Sequence, residues 1–317
     1  MTGGPILVTG AAGLIGGRLV GRLVAEGAAV IAMDLRAAEA PSGVRWVTVD
    51  LMDGPALTAL MREARVGAVV HAGAISGPMV AAGDPHKVMS VNVGGALNIA
   101  EASLRTGVER LVALSSAGVY GAQATFDPVG EDAPLNATDV YGASKIAAET
   151  VLRAYRHDHG LPAIALRPSS VYGPGRTTAC FIRDMIDHAQ RGEPLALAPE
   201  GACRRQFVHV DDVVGAILGA LNAPRFDHFA FNVSGGTWLS EQEIAALAAA
   251  VLPGLRIAPI AAAARCLDGE MGPLDTARAR AVFGFSPSIP LAEGIAAYAA
   301  TLRPREGDQT AAGKLFA

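Results

Sequence analysis

Val8-Thr9-Gly10-Ala11-Ala12-Gly13-Leu14-Ile15-Gly16 directly follows the start of an apolar run at Ile6 and opens a segment in which Ile15, Leu19 and Leu23 recur every four residues. That is a strand running into a helix with one apolar face. In this setting the three glycines have mechanical roles: one makes the tight turn, one lets the backbone approach a pyrophosphate, and one lets helix and strand pack closely. The pyrophosphate would sit at the positive end of the helix dipole. Gly10, Ala12, Gly13, Leu14, Ile15 and Gly16 are therefore read as dinucleotide contacts. Asp34, ending the second apolar run, is placed to accept hydrogen bonds from the adenosine ribose. A carboxylate there repels a 2′-phosphate, so NAD is favoured over NADP. Arg36 reads as a solvated charge. Asp50 and Leu51 end the third run, where they would flank the adenine, or Asp50 would cap a helix instead; both readings stay open.

Working outward, strand-length runs alternate with helical patterns, as a parallel sheet with crossover helices requires. The expected strands are Ile6 to Thr9, Ala29 to Met33, Val44 to Val49, Ala68 to Ala72, Arg110 to Ser115 and Ala163 to Leu166. Helices are expected to begin near Gly13, Gly54, Lys87 and Asp139. The fold class is thus α/β, a Rossmann-type doubly wound parallel sheet with a smaller C-terminal substrate-binding lobe. Pro168, Gly173, Pro174 and Gly175 mark the change of pattern, and Phe207 to Asn222 with Phe229 to Val233 read as a return to the main sheet. Residues 1–168 with 207–236 are expected to form the NAD-binding domain, 169–206 with 237–303 the substrate lobe, and 304–317 a loose tail.

Hydrophobic residues make up 51% and charged residues 18% of the 317, enough apolar surface for a large core. A net charge of −4 without any run of Lys and Arg argues against nucleic acid as a partner. Cys180, Cys203 and Cys266 are widely spaced and odd in number, so they read as reduced thiols, and the N-terminus shows no export signal. A cytoplasmic location is expected. Ile244 to Ala264 is Ala-rich but interrupted by Pro253, Gly254, Arg256 and Pro259, and reads as a helix, a turn and a short strand, not a membrane span. His157-Asp-His159 lacks a third ligand and reads as a solvated helix end, so no metal site is expected. His209-Val-Asp211-Asp212 reads as capping of a helix start.

Tyr141-Gly-Ala-Ser-Lys145 puts a phenol and an ammonium on one helix face. Oxidising a secondary alcohol needs a base for the hydroxyl proton while hydride leaves carbon for a nicotinamide. A free tyrosine, with a pKa of about 10, is too weak an acid near neutrality. A neighbouring lysine cation and the positive nicotinamide are expected to lower that value. Leu114-Ser115-Ser116-Ala117-Gly118-Val119-Tyr120-Gly121 follows the fifth strand, at the sheet edge where such folds bind ligands, and a serine there can orient the substrate oxygen.

These motifs together resemble the extended short-chain dehydrogenase/reductase family, which includes sugar-nucleotide epimerases and dehydratases. The resemblance runs through 9 to 16, Asp34, His71-Ala-Gly-Ala74, Asn92, Ser115-Ser116, Tyr141 with Lys145, and Arg167-Pro-Ser-Ser-Val-Tyr-Gly-Pro174. It continues in Arg205-Gln-Phe-Val-His-Val-Asp-Asp212, Asp275-Thr-Ala-Arg278 and Gly284-Phe-Ser-Pro287. It implies Ser116 as the catalytic hydroxyl, Tyr141 as the acid/base and Lys145 as its partner. Ala72, Gly73, Ala74, Asn92, Leu114, Pro168 and Ser170 join Tyr141 and Lys145 as further cofactor contacts, and Asn92 resembles the family's structural asparagine. Ser76, Ser116, Ser170, Arg176 and Arg205 are the candidate substrate contacts, the arginines suiting a carboxylate or phosphate. Helices near 87 to 105 and 139 to 157 resemble those of the family's four-helix dimer interface, so a homodimer is expected.

Departures from the family pattern narrow the reaction. Ala117 and Gly118 stand where dehydratases carry Asp and Glu, which speaks against dehydration. Ser170 replaces an asparagine, and Ala198-Pro-Glu-Gly201 replaces a Gly-Asp-Gly turn, in members that bind nucleotide diphosphates. The first expectation is a dehydrogenase of a small hydroxylated substrate, a sugar, sugar acid or polyol, with an anionic group as one alternative. The second is an epimerase that acts through a transient ketone and keeps its NAD. A catalytically dead nucleotide sensor is disfavoured because Tyr141 and Lys145 are both retained.

Overall fold

The computed structural model describes residues 3–38, 41–77, 79–80, 83–197, 203–259 and 271–302. The expected tail from 304 and the Ala198–Gly201 departure lie outside them. The first strand, β1 (Ile6–Thr9), is buried on both faces and runs through the glycine turn into α1 (Leu14–Ala25). That helix buries Gly16, Leu19, Val20 and Leu23, while Ile15 packs at the edge of the same cluster. There follow β2 (Val30–Asp34), β3 (Arg45–Thr48), α2 (Gly54–Glu63) and β4 (Ala68–His71). Asp53, not Asp50, caps α2, its carboxylate accepting from the Ala56 amide at 2.9 Å, while Asp50 closes a turn onto the Met52 amide at 2.9 Å.

The helix expected near Lys87 is composite: α3 (Pro85–Met89), a π-helical turn over Ser90–Gly94, and α4 (Gly95–Thr106). A π turn inserts one extra residue into the ladder and is frequent at functional sites. Then come β5 (Arg110–Leu114), a 3₁₀ turn over Ala117–Val119, α5 (Val140–His159) and β6 (Ala163–Pro168). Asp139 caps α5, accepting from the Gly142 amide at 2.9 Å, and Gly160 ends it in the left-handed region.

The second half contributes β7 (Ser170–Tyr172), α6 (Phe181–Arg191), β8 (Pro194–Leu197), β9 (Arg204–Arg205), β10 (Phe207–His209) and α7 (Val210–Asn222). It closes with β11 (Ala230–Val233), β12 (Leu239–Ser240), α8 (Glu241–Ala249), β13 (Arg256–Pro259), α9 (Ala277–Phe283) and α10 (Leu291–Thr301). The helix-turn-strand reading of 244 to 264 holds as far as Pro259, and the rest lies outside the described residues.

Seven parallel strands form the main sheet in the order β11-β6-β5-β4-β1-β2-β3. One side is covered by α1, α7 and α9, whose Leu19, Leu23, Val213, Ile217 and Ala279 share a core with β1 and β6. The other side is covered by α2, α4 and α5 through Leu57, Met61, Ile99 and Leu152. Helices on both faces are what a doubly wound sheet requires. The return to this sheet is made by α7 and β11 only. Phe207–His209, expected to join it, instead pairs in parallel with Ser170–Tyr172, because a short strand leaving β6 at Ser169 supplies the nearer edge. A third core gathers Tyr172, Ile182, Met185, Phe207, Ile244 and Ile295 from β7, β10, α6, α8 and α10. We propose this third core as the centre of the substrate lobe. Among the described residues no helix is long and apolar enough to cross a membrane.

The glycine turn admits almost no side chain. A Cβ on Gly16 would stand 2.2 Å from the Gly10 carbonyl oxygen, whereas one on Gly21 of the same helix would meet nothing within 4 Å. Gly16→Ala is expected to cost about 1–3 kcal/mol through forced backbone displacement. Gly21→Ala should be stabilising by up to about 1 kcal/mol from helix propensity. Urea unfolding of the two variants checks the contrast, and equal effects would refute it.

Candidate functional site

Strand order reverses between β1 and β4, so their carboxyl ends open a crevice at the switch point of the sheet. Gly10 lines it with φ +68°, and a Cβ there would lie 2.7 Å from the Gly73 backbone. No side chain caps the first turn of α1, whose N-cap Gly13 is exposed. Free amides at a helix N-terminus suit a pyrophosphate. At the end of β2, the Asp34 carboxylate accepts from the Ala12 amide at 3.0 Å and from the Arg36 amide at 3.1 Å. Arg36 turns back onto this corner, its guanidinium 3.3 Å from the Ala12 carbonyl oxygen. The opposite wall is Ala72-Gly73-Ala74, with the Gly73 amide donating to Thr9 Oγ1 at 3.0 Å and Thr9 Oγ1 in turn 2.9 Å from His71 Nδ1. Leu51 touches the same wall, 3.0 Å from where a Gly73 Cβ would be. An uncapped helix start, a backbone-only turn and a ribose-height carboxylate fit NAD.

Ser116 leaves β5 in an extended conformation and its Oγ accepts from the Gly118 amide at 3.1 Å, which starts the 3₁₀ turn. The Tyr141 side chain, on the first turn of α5, faces Ser76 and Ser116, whose hydroxyls act on its phenol. One helical turn later Lys145 is buried, its Nζ donating to the Leu114 carbonyl oxygen at 2.8 Å and lying 5.9 Å from the Tyr141 ring centroid. The three candidate catalytic side chains and Ser76 thus converge. Their electrostatics differ from the expectation that the lysine would make the phenol acidic. Burial raises Tyr141 above its ordinary value, against which the hydrogen bonds from Ser76 and Ser116 and the charge of Arg176 act to lower it. Lys145 is itself pulled from 10.5 down to about 8 by burial, with Glu149 opposing that fall.

Other assignments shift. Asn92, included among the cofactor contacts, spends its amide inside the protein: Oδ1 accepts from the Ile75 amide at 2.8 Å, and Nδ2 donates to Ser144 Oγ at 2.9 Å and the Ile75 carbonyl at 3.0 Å. Since Ser144 Oγ donates to the Tyr141 carbonyl at 2.7 Å, Asn92 ties the Ser76 loop to the first turn of α5. Arg176 donates to the carbonyl oxygens of Val171, Thr178 and Ala179, so three of its five N–H groups are taken by its own loop. Arg205 pairs with Glu241 at 2.7 Å and stacks on Phe181. Pro168 ends β6 and Ser170 opens β7, its amide donating to the Gln206 carbonyl at 3.2 Å. Cys203 is disulfide-bonded and Cys180 is free, while Cys266 lies outside the described residues. This corrects the reading of three reduced thiols and removes the argument for the cytoplasm built on it. Sequence reasoning assigned no role to Thr9, Ser144 or Glu149; the first two lie inside the glycine-turn and Tyr141–Lys145 motifs, but only the fold supplies their partners.

The profile of the NAD dependent epimerase/dehydratase family matches residues 6–234. The UDP-glucose 4-epimerase of Mycolicibacterium smegmatis is 35% identical over 304 residues, 92% of this chain and 96% of the relative. MoeE5, solved in complex with UDP-glucuronic acid and NAD, aligns with TM-score 0.82 and 32% identity over 94% of this chain and 98% of its own. The UDP-glucose 4-epimerase of Thermus thermophilus, solved with NAD, aligns with TM-score 0.82 and 30% identity over the same shares, 94% and 98%.

His71 is lowered from 6.5 to about 3, by burial first and by the nearby Lys145 charge second. The unfolded chain therefore takes up this proton before the folded one does. Stability from His71 is complete above pH 6.5 and is lost as pH falls from 6.5 toward about 3. A His71→Asn variant is expected to lose less Tm than the wild type over that interval, read by scanning calorimetry. Parallel declines would show that His71 is not held neutral.

Proposed function

The chain belongs to the NAD-dependent epimerase/dehydratase family, within the extended short-chain dehydrogenases/reductases, and on that premise we propose that it is an epimerase. Its substrate on this reading is a nucleoside-diphosphate sugar, one of whose secondary hydroxyl carbons is inverted while NAD stays bound. The observation that carries the reading is the convergence of Ser76, Ser116 and Tyr141 hydroxyls over Lys145, followed at 117 and 118 by Ala and Gly, which cannot move a proton to eliminate water. Support for the sugar nucleotide comes from the relatives, which include a UDP-glucose 4-epimerase and a protein solved with UDP-glucuronic acid.

When bound, NAD supplies the acceptor and later the donor of a hydride. Gly10, Gly13 and the first turn of α1 would hold its pyrophosphate, and Asp34 its adenosine ribose. The chain's own residues do the rest. Ser116 and Ser76 fix the reacting hydroxyl beside Tyr141, which takes up its proton and later returns it. Lys145 holds a positive charge beneath the phenol, so the proton leaves an oxygen that burial alone would keep protonated. On this reading Arg205 would meet the diphosphate only by sharing Glu241's place. Leu97 and Met89 are exposed on α4 and α3, and we assign that face to a homodimer contact.

A net dehydrogenase remains the second reading, favoured by Ser170 in place of asparagine and by the pairing of Arg205 with Glu241. Incubation with UDP-glucose and UDP-glucuronic acid separates the two. Chromatographic appearance of the epimeric nucleotide sugar without NADH absorbance supports the epimerase; stoichiometric NADH from a sugar acid or polyol overturns it. Tyr141→Phe is expected to lower kcat by about 10²–10⁴-fold while leaving NAD content unchanged, and a variant with wild-type turnover would remove Tyr141 from the chemistry.

A further inference from the structure

Lys145 is one of three lysines in the chain, with Lys87 and Lys314. Its ammonium has three protons to place, and the Leu114 carbonyl takes one of them. One turn further along α5, on the same helix face, lies Glu149, with only 3% of its side chain exposed. Its carboxylate cannot swing away, because Arg167 grips it with two parallel hydrogen bonds, Nε to Oε1 at 2.9 Å and Nη2 to Oε2 at 2.6 Å. Arg167 is in turn fixed by Tyr120 Oη and the Glu131 carbonyl oxygen, both at 2.9 Å. Between Lys145 and Glu149 lies a cavity of about 10 Å³, lined also by His71, Asn92 and Ser115. Ser115 Oγ is buried there without a hydrogen-bond partner among the described residues. That volume is about one water molecule, so both charged residues border the same small space, whose other walls are mostly apolar.

We propose that Glu149, clamped by Arg167, is a positioning residue of the active site, its fixed carboxylate compensating the buried ammonium of Lys145 and holding it beneath Tyr141. The inference rests on the reading of Lys145 as the charged partner of Tyr141. A purely structural ion pair would be a poor use of this place, since burying Glu149 and Arg167 costs desolvation that an apolar pair would avoid. The direction of the effect follows from the surroundings of Lys145. Burial pulls it to about 8 and Glu149 is the group that raises it. The other groups facing it do not help: His71 of β4 is neutral, Tyr141 of α5 is protonated when free of substrate, and Arg167 of β6 has the same sign. On α3 and α4, His86 and Lys87 point to solvent and Glu101 is taken by Arg105 and Tyr155. Removing Glu149 is therefore expected to lower the Lys145 pKa further.

Three lysines make the test direct. NMR of isotope-labelled lysine side chains in the NAD-bound protein follows the Lys145 titration, with Tyr141→Phe as the background so that the midpoint belongs to the lysine and not to a coupled pair. Adding Glu149→Gln is expected to lower the midpoint by about one pH unit, a tenfold change in proton affinity. Because Glu149→Gln leaves Arg167 unpaired and folding can suffer, Glu149→Met with Arg167→Met removes both charges at similar volume and should lower the midpoint by a smaller amount, since the like charge of Arg167 goes with the carboxylate. An unchanged midpoint in either folded protein overturns the proposal. A lowered midpoint together with wild-type turnover of Glu149→Gln in the chain that keeps Tyr141 upholds the link between Glu149 and Lys145 and refutes the catalytic reading of Lys145 instead.

Discussion

Backbone meets backbone where β1 and β4 lie side by side, and the absence of side chains at Gly10, Gly16 and Gly73 is what allows it. The Gly10 turn, the start of α1 and the 72–74 segment share a space in which an added Cβ would come within 3 Å of main-chain or side-chain atoms at each of these positions. That closeness keeps the helix start at the end of the strand and leaves amides, not side chains, facing the crevice. It also joins the two walls of the cleft: Thr9 from one strand holds the Gly73 amide and the His71 ring from the other. A larger residue at Gly16 would push the helix off the sheet, and the anion site would lose its shape with it.

A second constraint is the buried polar cluster at the other end of the site. Arg167, Glu149, Tyr120, Asn232 and Glu131 connect β6, α5, the 3₁₀ turn, β11 and the 129–132 segment in one hydrogen-bonded set. Asn232 donates to the Val129 and Asp275 carbonyl oxygens, so the C-terminal segment is anchored to the same set. Such a cluster adds little to stability compared with apolar packing, but breaking one member costs about 3–5 kcal/mol because the others are left uncompensated. It specifies where α5 sits against the sheet, and α5 carries Tyr141 and Lys145.

Between these two fixtures the protein maintains a conflict. The phenol and the ammonium are both in places where burial disfavours their charged forms. Neutral hydroxyls and a carboxylate one turn away offset part of that penalty.

Much of this was legible from residue order. The six strands read from apolar runs match those observed to within one or two residues at either end, because strands buried on both faces leave uninterrupted apolar segments. The spacing of Tyr141 and Lys145 required only that α5 be helical. Other features had no local signature. The π turn at Asn92, the choice of Asp53 over Asp50 as helix cap and the pairing of Phe207–His209 with Ser170–Tyr172 depend on what each segment meets across the fold. The arginines show the limit most plainly: side-chain type suggested anion binding, yet Arg176 closes on its own loop and Arg205 on Glu241. Periodicity and backbone demands are local, so the sequence alone determined the doubly wound sheet, the dinucleotide turn and the placing of Tyr141 and Lys145 on one helix face. Burial and partner choice are properties of contacts between distant residues, so only the tertiary structure decided which charges are compensated, which polar groups are already taken, and that burial makes the Tyr141 phenol less acidic.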